Sequence, residues 1–253
     1  VTFEKTNCDG IMAEWAIPDN LSTKGVVLYI HGGAYIAGSI ETHRPLVGRI
    51  AIASKTKCLN IEYRYAPENP FPAGIDDAVK CYYWLIKQGY DHNKIVVMGD
   101  SAGGGLSLGT LLRLRDEKAP QPAAGVCMSP WIDLTCTQDA GMRLSNKDSM
   151  LTASAGKIFA KLYAGKEDGK HPYSSPLYSD LKWLPPLFIQ ASNWEIVLDE
   201  NLAFEKKAKE AGVDIKLEIW EKMLHVWQGY APFLPEAVKA LKVLGKYIEE
   251  KIR

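Results

Sequence analysis

The sequence carries no net charge, because its 30 lysine and arginine residues balance its 30 aspartate and glutamate residues. Without an excess of either sign, the chain has no general attraction for nucleic acid or for an anionic membrane surface. Long hydrophobic runs are also missing: the longest, such as residues 25–30, have the length of a buried strand. A transmembrane helix needs about 20 apolar residues. We therefore expect no nucleic-acid partner and no membrane span.

Paired cysteine motifs are missing: no two of the five cysteines form a Cys-x-x-Cys pair. A free cysteine within an apolar run behaves as a small hydrophobic residue. The chain does not begin with a basic-then-apolar signal segment. We therefore expect reduced core thiols in a cytoplasmic protein, with no metal site and no cofactor. Because the chain opens with Val1 rather than Met, the sequence leaves open whether a leader peptide precedes it and is removed. The five cysteines are Cys8, Cys58, Cys81, Cys127 and Cys136.

Apolar runs alternate with longer amphipathic ones along the 253 residues, of which 47% are hydrophobic. This alternation is typical of a mostly parallel sheet whose strands are joined by helices, and the length suits a single α/β domain over residues 1–253. The predicted strands are Val26–Ile30, 58–63, 95–98, 125–128, 187–191 and Ile215–Trp220, with edge strands within residues 1–18. The predicted helices are 73–88, one after the glycines at 103–104 ending near 115, then 153–163, 201–211 and 235–252.

One interval departs from this alternation. Residues 135–186 pass between two predicted strands and are interrupted by prolines near their end. A connection of this length in a compact domain usually covers a functional site, and α/β sheets bind ligands at the carboxyl ends of their strands. We therefore expect an insert that contributes to a cap over an active site.

The most specific local pattern is Gly99-Asp100-Ser101-Ala102-Gly103, with a predicted strand before it and a predicted helix after it. It matches the Gly-x-Ser-x-Gly nucleophile elbow, where a sharp strand-to-helix turn exposes the serine hydroxyl. The turn strains the serine backbone, and the flanking glycines remove side chains that would clash. Ser101 is therefore the candidate nucleophile, next to a helix N-terminus that favours developing negative charge.

A second pattern, His31-Gly32-Gly33-Ala34, directly follows the predicted strand Val26–Ile30. Glycines at this point let backbone N–H groups approach an acyl oxygen and stabilise its charge in a tetrahedral intermediate. A glycine pair is also common in tight turns, where His31 would be a packed residue. Two such motifs at strand ends of one sheet favour catalysis.

A serine nucleophile needs a histidine base and an acid that holds the tautomer of that base. In strand-to-helix elbows the chain order is serine, acid, histidine. His225 follows the predicted strand Ile215–Trp220 by a short loop, whereas His171 lies in the irregular insert. We predict that His225 is the base.

The acid is expected after the strand predicted over residues 187–191, where three carboxylates occur: Glu195, Asp199 and Glu200. Negative charge is favourable in the first turn of a helix. Asp199 and Glu200 can therefore be explained as residues at a helix N-terminus that have no catalytic role. Glu195 lies in the loop itself and is the preferred acid, with Asp199 as the alternative.

Together these motifs resemble the bacterial hormone-sensitive-lipase-like esterases, a group with the α/β-hydrolase fold, from near Cys8 to the C-terminus. The resemblance implies that fold, with a mostly parallel central sheet, helices on both faces and a partial cap insert. It also implies a triad of Ser101, Glu195 and His225, and oxyanion donors from the backbone N–H groups of Gly33, Ala34 and Ala102. Further matching segments are Tyr63-Arg64-Tyr65-Ala66-Pro67-Glu68, Phe71-Pro72-Ala73, Ser129-Pro130-Trp131, Ser175-Pro176-Leu177 and Leu184-Pro185-Pro186.

The chain departs from this group at two positions: Ala34, where the group often has a third glycine, and Glu195, where it often has aspartate. Only the backbone N–H of Ala34 would be used, so its methyl group is expected to narrow the pocket and leave the chemistry unchanged. The group also carries an N-terminal helical cap ahead of the position that matches Val1, and that cap is absent from this sequence.

Members of the group often dimerise through the last strand and the final helix, so the resemblance implies a homodimer through residues 215–220 and 235–252. In that strand Ile215, Leu217 and Ile219 share a face that the core can bury. Trp220 lies on the other face, where it needs cover from a partner or from the final helix.

The predicted function is hydrolysis of short- to medium-chain carboxylic esters through an acyl-serine intermediate, with a small-molecule ester as substrate. Lactone or amide hydrolysis stays an alternative, because the triad alone does not separate these substrates. A non-catalytic small-ligand receptor is disfavoured, because receptors similar to this group have lost the histidine that is present here as His225. Four aromatic residues next to the motifs either line an apolar cleft or pack in the core: Tyr35, Trp131, Trp194 and Trp227.

Overall fold

A computed structural model describes residues 1–137, 140–167 and 169–253, with only the backbone described at residues 141 and 142. Its centre is one eight-stranded sheet. The strands are β1 Thr2–Cys8, β2 Ile11–Ile17, β3 Val26–Ile30, β4 Lys57–Ile61, β5 Ile95–Asp100, β6 Ala124–Met128, β7 Leu187–Ser192 and β8 Ile215–Trp220. Their order in the sheet is β1-β2-β4-β3-β5-β6-β7-β8. Strand β2 runs antiparallel to β1 and to β4, and every other pairing is parallel, as predicted.

Helices cover both faces of the sheet. They are α1 Ile40–Ser54, α2 Ala73–Lys87, α3 Ala102–Asp116, α4 Ala140–Arg143, α5 Ala153–Ala164, α6 Leu198–Glu210 and α7 Pro235–Lys251. Apolar residues of α1 and α7 share one core cluster with one face of the sheet, while those of α2, α3 and α6 share another cluster with the opposite face. Among the described residues, every helix is too short or too polar to cross a bilayer.

The central strands are buried on both faces, which explains why they read as continuous apolar runs. In β3, Val26, Leu28 and Ile30 belong to the core cluster under α2 and α3, whereas Val27 and Tyr29 belong to the cluster under α1 and α7. The carboxyl ends of the parallel strands therefore meet at one edge of a fully covered sheet. The motifs at residues 31–34 and 99–103 both lie at that edge, because they follow β3 and the end of β5.

Between β6 and β7 the chain makes the long excursion that the sequence indicates. It contains α4, α5 and a 3₁₀ turn at Pro176–Tyr178. Residues 138, 139 and 168 of the predicted insert lie outside the described residues.

The sheet ends at β8, and here the burial expected from the sequence is wrong at one residue. Ile215 is buried and Leu217 is half-buried, but Ile219 is 39% exposed. Among the described strands, β8 pairs with β7 alone and lies at the end of the sheet, and the helices do not fully cover its face at Ile219. Trp220 is half-buried and packs within the chain on Trp227, with ring centroids 5.8 Å apart.

Candidate active site

Ser101 occupies the sharp turn between the end of β5 and the start of α3. Its backbone has φ 52° and ψ −122°, a region that non-glycine residues rarely adopt. A Cβ atom at Gly99 would clash with the carbonyl oxygen of Gly103, and one at Gly103 would clash with the carbonyl oxygen of Ile30. The turn therefore has both the strained serine and the requirement for glycine that the motif predicts.

Ser101, His225 and Glu195 form a continuous chain of hydrogen bonds. Ser101 Oγ lies 2.8 Å from His225 Nε2, and His225 Nδ1 lies 2.7 Å from Glu195 Oε1. The second carboxylate oxygen of Glu195 accepts a hydrogen bond from the backbone N–H of Ser192 at 2.5 Å. All three side chains are buried, and Glu195 is fully so. Because the Glu195 carboxylate accepts a hydrogen bond from Nδ1–H, the lone pair of Nε2 faces the serine hydroxyl. This is the arrangement that a general base needs.

The loops after β7 and β8, which carry the acid and the histidine, are bound to each other. The hydroxyl of Ser192 donates to the carbonyl of Met223 at 2.9 Å and accepts from the backbone N–H of Met223 at 3.0 Å. The backbone N–H of Val226 donates to the hydroxyl of Ser129 at 3.3 Å. These contacts fix the backbone on both sides of His225, so its ring is held between Ser101 and Glu195.

The other candidate carboxylates and the other late histidine have partners elsewhere. Asp199 accepts from the backbone N–H of Ala140 and from Arg143, each at 2.8 Å. Glu200 accepts from the backbone N–H of Ile132 at 2.6 Å, and burial raises its pKa well above the ordinary value. The ring of His171 packs on that of Phe71, with centroids 4.6 Å apart, and its Nδ1 accepts from the N–H of Tyr173.

Opposing effects set the proton affinity of His225. Burial disfavours its charged form, but the hydrogen bond and the negative charge of Glu195 outweigh burial and raise the pKa of His225. The charges of Asp148 and Asp100 act in the same direction. His225 is therefore a stronger base than an ordinary imidazole.

The oxyanion donors that the sequence predicts are the backbone N–H groups of Gly33, Ala34 and Ala102. Gly33 has φ +126° and Ala34 has φ 54°, so the loop after β3 turns sharply. Ala102 is the first residue of α3, where a backbone N–H has no partner within its own helix. Within the described residues, the N–H groups of Gly33, Ala34 and Ala102 donate to no other protein atom. Their donor capacity is therefore not used by another protein atom within that part of the chain.

The remaining motif residues hold the loop after β3 in place through hydrogen bonds. The Nδ1 of His31 lies 2.8 Å from the carbonyl oxygen of Gly32, and the carbonyl of His31 accepts from the hydroxyl of Tyr63 at 3.0 Å. Burial lowers the pKa of His31 to about 4, so its ring is neutral at pH 7. The backbone N–H of Gly32 donates to Asp100 Oδ1 at 2.9 Å. His31 is thus a packed residue that shapes the loop.

A family model described as the α/β-hydrolase fold matches residues 27–229. The chain belongs to this α/β-hydrolase family. A solved esterase from the bacterial hormone-sensitive lipase family is 42% identical, with a TM-score of 0.98 over 100% of this chain and 85% of that one. An acetyl-hydrolase from Streptomyces hygroscopicus is 39% identical over 93% of this chain and 79% of its own length. An esterase from Acinetobacter venetianus is 33% identical over 89% of this chain and 75% of its own length. The predicted resemblance to the bacterial hormone-sensitive-lipase-like group is confirmed.

A cavity opens at the carboxyl edge of the sheet, where open α/β sheets bind their ligands. It measures about 550 Å³ and contains Ser101 and His225 in its lining. Most of the wall is apolar, and part of it comes from the excursion between β6 and β7. A second, smaller cavity of about 40 Å³ lies alongside and shares three wall residues with the first. Those shared residues are Trp131, Leu151 and Phe159.

Of the four aromatic residues that the sequence leaves open, Trp131 lines the cavity. Tyr35 is buried and stacks on Tyr163 with ring centroids 3.9 Å apart. Trp227 is fully buried in the core under α7. The half-buried Trp194 does not contribute to the described lining of the cavity.

Two residues that touch this site were not foreseen. Asp148, from the excursion, accepts from the backbone N–H groups of Leu151 and Ile196, so it ties the cavity wall to the loop of Glu195. His43, from α1, lines the cavity. Neither belongs to a recognisable short motif. In the part of the chain that the structure describes, no group of three or more His, Cys, Asp or Glu side chains is placed to hold a metal ion.

Proposed function

We propose that this α/β-hydrolase is a serine carboxylesterase that works through an acyl-serine intermediate. The observation that carries the proposal is the unbroken hydrogen-bond chain from Ser101 through His225 to the buried Glu195. Such a chain is the arrangement of a nucleophile, a general base and an acid that orients the base. The esterase names of its relatives agree with this chemistry.

In the proposed reaction, Ser101 Oγ attacks the ester carbonyl while His225 Nε2 takes the hydroxyl proton. The negative oxygen that forms is stabilised by the free backbone N–H groups of Gly33, Ala34 and Ala102. The carbon–oxygen bond to the alcohol then breaks, and His225 returns its proton to the leaving alkoxide. In the second half, water attacks the acyl-serine carbonyl while His225 takes a proton from that water. The bond between the acyl carbon and Ser101 Oγ then breaks, His225 returns the proton to Oγ, and the carboxylic acid is released.

The proposed substrates are uncharged esters with short to medium acyl chains. The wall of the cavity is mostly apolar, which favours uncharged groups on both sides of the ester bond. The smaller side cavity is about 40 Å³, which suits a short acyl chain. Met150, Leu151 and Phe159 line the main cavity, so we also propose that residues 135–186 form part of a cap.

A chain-length series of p-nitrophenyl esters tests this function. Wild-type protein is expected to hydrolyse acetate to hexanoate esters, with kcat/KM falling for longer acyl chains as they exceed the pocket. The Ser101→Ala variant run beside it measures the background. A wild-type rate equal to that background for every ester would refute the esterase proposal and leave the lactone or amide hydrolase and the receptor as alternatives.

The pH dependence of kcat/KM follows from the state of His225. The base must be neutral, so activity is expected to fall as the pH decreases through the pKa of His225. Because Glu195 raises that pKa, the acid limb is expected above the ordinary imidazole value of about 6.5. Glu195→Gln removes the negative charge, so the acid limb of its residual activity is expected at lower pH. A limb that stays in place or moves to higher pH in this variant would contradict the assignment.

We further propose that two copies pair through the edge of β8 and pack α7 beside it. The edge strand has unpaired backbone groups, and Ile219 is 39% exposed there. Light scattering at micromolar concentration is expected to give about twice the 28.1 kDa monomer mass. A mass of 28.1 kDa that is unchanged on concentrating the sample would exclude this dimer, leaving the edge protected by the ion pair between Lys216 and Glu218.

We also propose a cytoplasmic location, on the evidence of the thiols. Cys8, Cys58, Cys81 and Cys127 are buried, and all five cysteines are free. Reduced cysteines of this kind are typical of a reducing compartment.

A further inference from the structure

A second histidine faces the cavity that contains Ser101. His43 lies in the first half of α1 and lines the cavity, with 17% of its side chain exposed. Its Nε2 atom is 3.5 Å from Oδ2 of Asp100, the residue that directly precedes Ser101. The proposed mechanism gives this histidine no proton to transfer, so its place beside the nucleophile needs another explanation.

The two oxygens of the Asp100 carboxylate have different partners. Oδ1 accepts from the backbone N–H of Gly32 at 2.9 Å and from the hydroxyl of Tyr29 at 2.6 Å. Oδ2 faces His43. Asp100 therefore joins the nucleophile turn to the loop that carries Gly33 and Ala34, and His43 forms an ion-pair contact with its other oxygen.

The surroundings of His43 indicate an imidazolium. On one side of the ring, Nδ1 lies 2.9 Å from Thr42 Oγ1, and the hydroxyl proton of Thr42 is already donated to the carbonyl of Ser39. On the other side, Nε2 faces a carboxylate, so both ring nitrogens face acceptors. Burial disfavours the charge, but Asp100 outweighs burial and raises the pKa of His43, with Glu62 acting in the same direction.

The neighbouring histidine has the opposite state. His31 stacks on His43 with ring centroids 5.1 Å apart, and it is neutral because burial lowers its pKa to about 4. Two tyrosines also pack around this pair: the hydroxyl of Tyr65 contacts both Glu62 and His31, and the ring of Tyr63 lies 4.6 Å from that of His31 between centroids. The positive charge of the pair therefore resides on His43, next to Asp100. His43 in turn contributes to holding the pKa of Asp100 below its ordinary value against the effect of burial.

We propose that His43 is a positioning residue for ester hydrolysis, which keeps the oxyanion loop fixed against the nucleophile turn by pairing with Asp100. The inference rests on the proposed esterase function. Removing the partner of a buried carboxylate leaves a charge that must recruit water or a proton. Either change weakens the hold of Asp100 on the N–H of Gly32, and the donors at Gly33 and Ala34 lose their fixed positions.

Oxyanion donors bind the tetrahedral intermediate more strongly than the substrate, so the loss is expected in kcat and not in KM. His43→Phe keeps a ring to stack on His31 but has no donor. His43→Asn has a donor that is too short to reach Asp100. His43→Gln is the matched control, because its amide N–H₂ extends about as far as Nε2 and can still donate to Asp100.

The test measures p-nitrophenyl butyrate hydrolysis and inhibition by butylboronic acid, whose tetrahedral serine adduct places an oxygen at the oxyanion position. His43→Phe and His43→Asn are expected to lower kcat about 10- to 100-fold with KM changed by less than about threefold. Their Ki for butylboronic acid is expected to rise by a similar factor. His43→Gln is expected to keep kcat and Ki within about threefold of wild type.

Three results would overturn the proposal. The first is wild-type kcat and Ki in folded His43→Phe or His43→Asn, with folding judged by thermal melting. The second is a rise in KM alone, which would mean that His43 only shapes the pocket. The third is an equal loss in His43→Gln. Failure of the proposed function is distinguishable, because wild-type protein would then hydrolyse no ester above the Ser101→Ala background.

Discussion

Replacing Ser101 with alanine is expected to lower kcat for ester hydrolysis by a factor of about 10⁴ or more, as for other triad serines. The hydroxyl forms its hydrogen bond with His225 and lies in the lining of the cavity. Its removal therefore deletes the nucleophile without opening the core, and the thermal melting temperature is expected to stay close to that of wild type. Initial rates with p-nitrophenyl butyrate measure the loss.

Ser107→Ala is a matched control for this change. Ser107 is a buried serine in the same helix α3, where its hydroxyl donates to the carbonyl of Gly103 at 2.7 Å. It has no place in the proposed reaction, so this variant is expected to retain most of the wild-type kcat. If Ser107→Ala proves as inactive as Ser101→Ala, the loss reflects damage to the helix, and Ser101 loses its assigned role.

Replacing Glu195 with glutamine is expected to lower kcat by about 10³- to 10⁴-fold, because the shape is kept but His225 takes the wrong tautomer. The amide oxygen can still accept from the backbone N–H of Ser192, which leaves the NH₂ group facing His225 Nδ1. A donor at that position forces Nδ1 to accept and places the ring proton on Nε2. The base then has no lone pair for the hydroxyl of Ser101.

Asp199→Asn serves as the comparison for the acid. Asp199 pairs with Arg143 and with the backbone N–H of Ala140, so its neutralisation is expected to cost some stability and little activity. The two variants are compared by kcat and by thermal melting. A severe loss of kcat in Asp199→Asn together with a mild loss in Glu195→Gln would identify Asp199 as the acid of the triad.

Much of the fold could be predicted because the central strands have the composition that burial on two faces demands. Helix α1 is the main omission, and its sequence explains why. Pro45 lies inside the helix, where proline normally disfavours helical structure. The helix begins at a capping box formed by Ser39 and Thr42, which lacks the usual Glu or Gln at the third helical position.

At β8, the alternation of side chains was predictable, but the exposure of Ile219 depends on what packs over the strand.

The candidate catalytic residues could be predicted because each lies next to a strand end that the sequence reveals. Ser101 needs glycines on both sides of a sharp turn, and those glycines are adjacent in the chain. Asp148 gave no such signal, because its hydrogen bond to Ile196 spans 48 residues and starts in irregular backbone. His43 was equally hidden, since its partner Asp100 lies on a different element and the two meet only when β3 and β5 pair.

The central claim, an acyl-serine formed at Ser101, is tested most directly by labelling with diethyl 4-nitrophenyl phosphate and mapping the adduct by peptide mass spectrometry. We expect one diethylphosphoryl group on the peptide that contains Ser101, with one equivalent of nitrophenolate released and activity lost in proportion. Ser101→Ala is expected to release no such burst. A stoichiometric adduct on another serine, or full activity after Ser101 has been labelled, would contradict the claim.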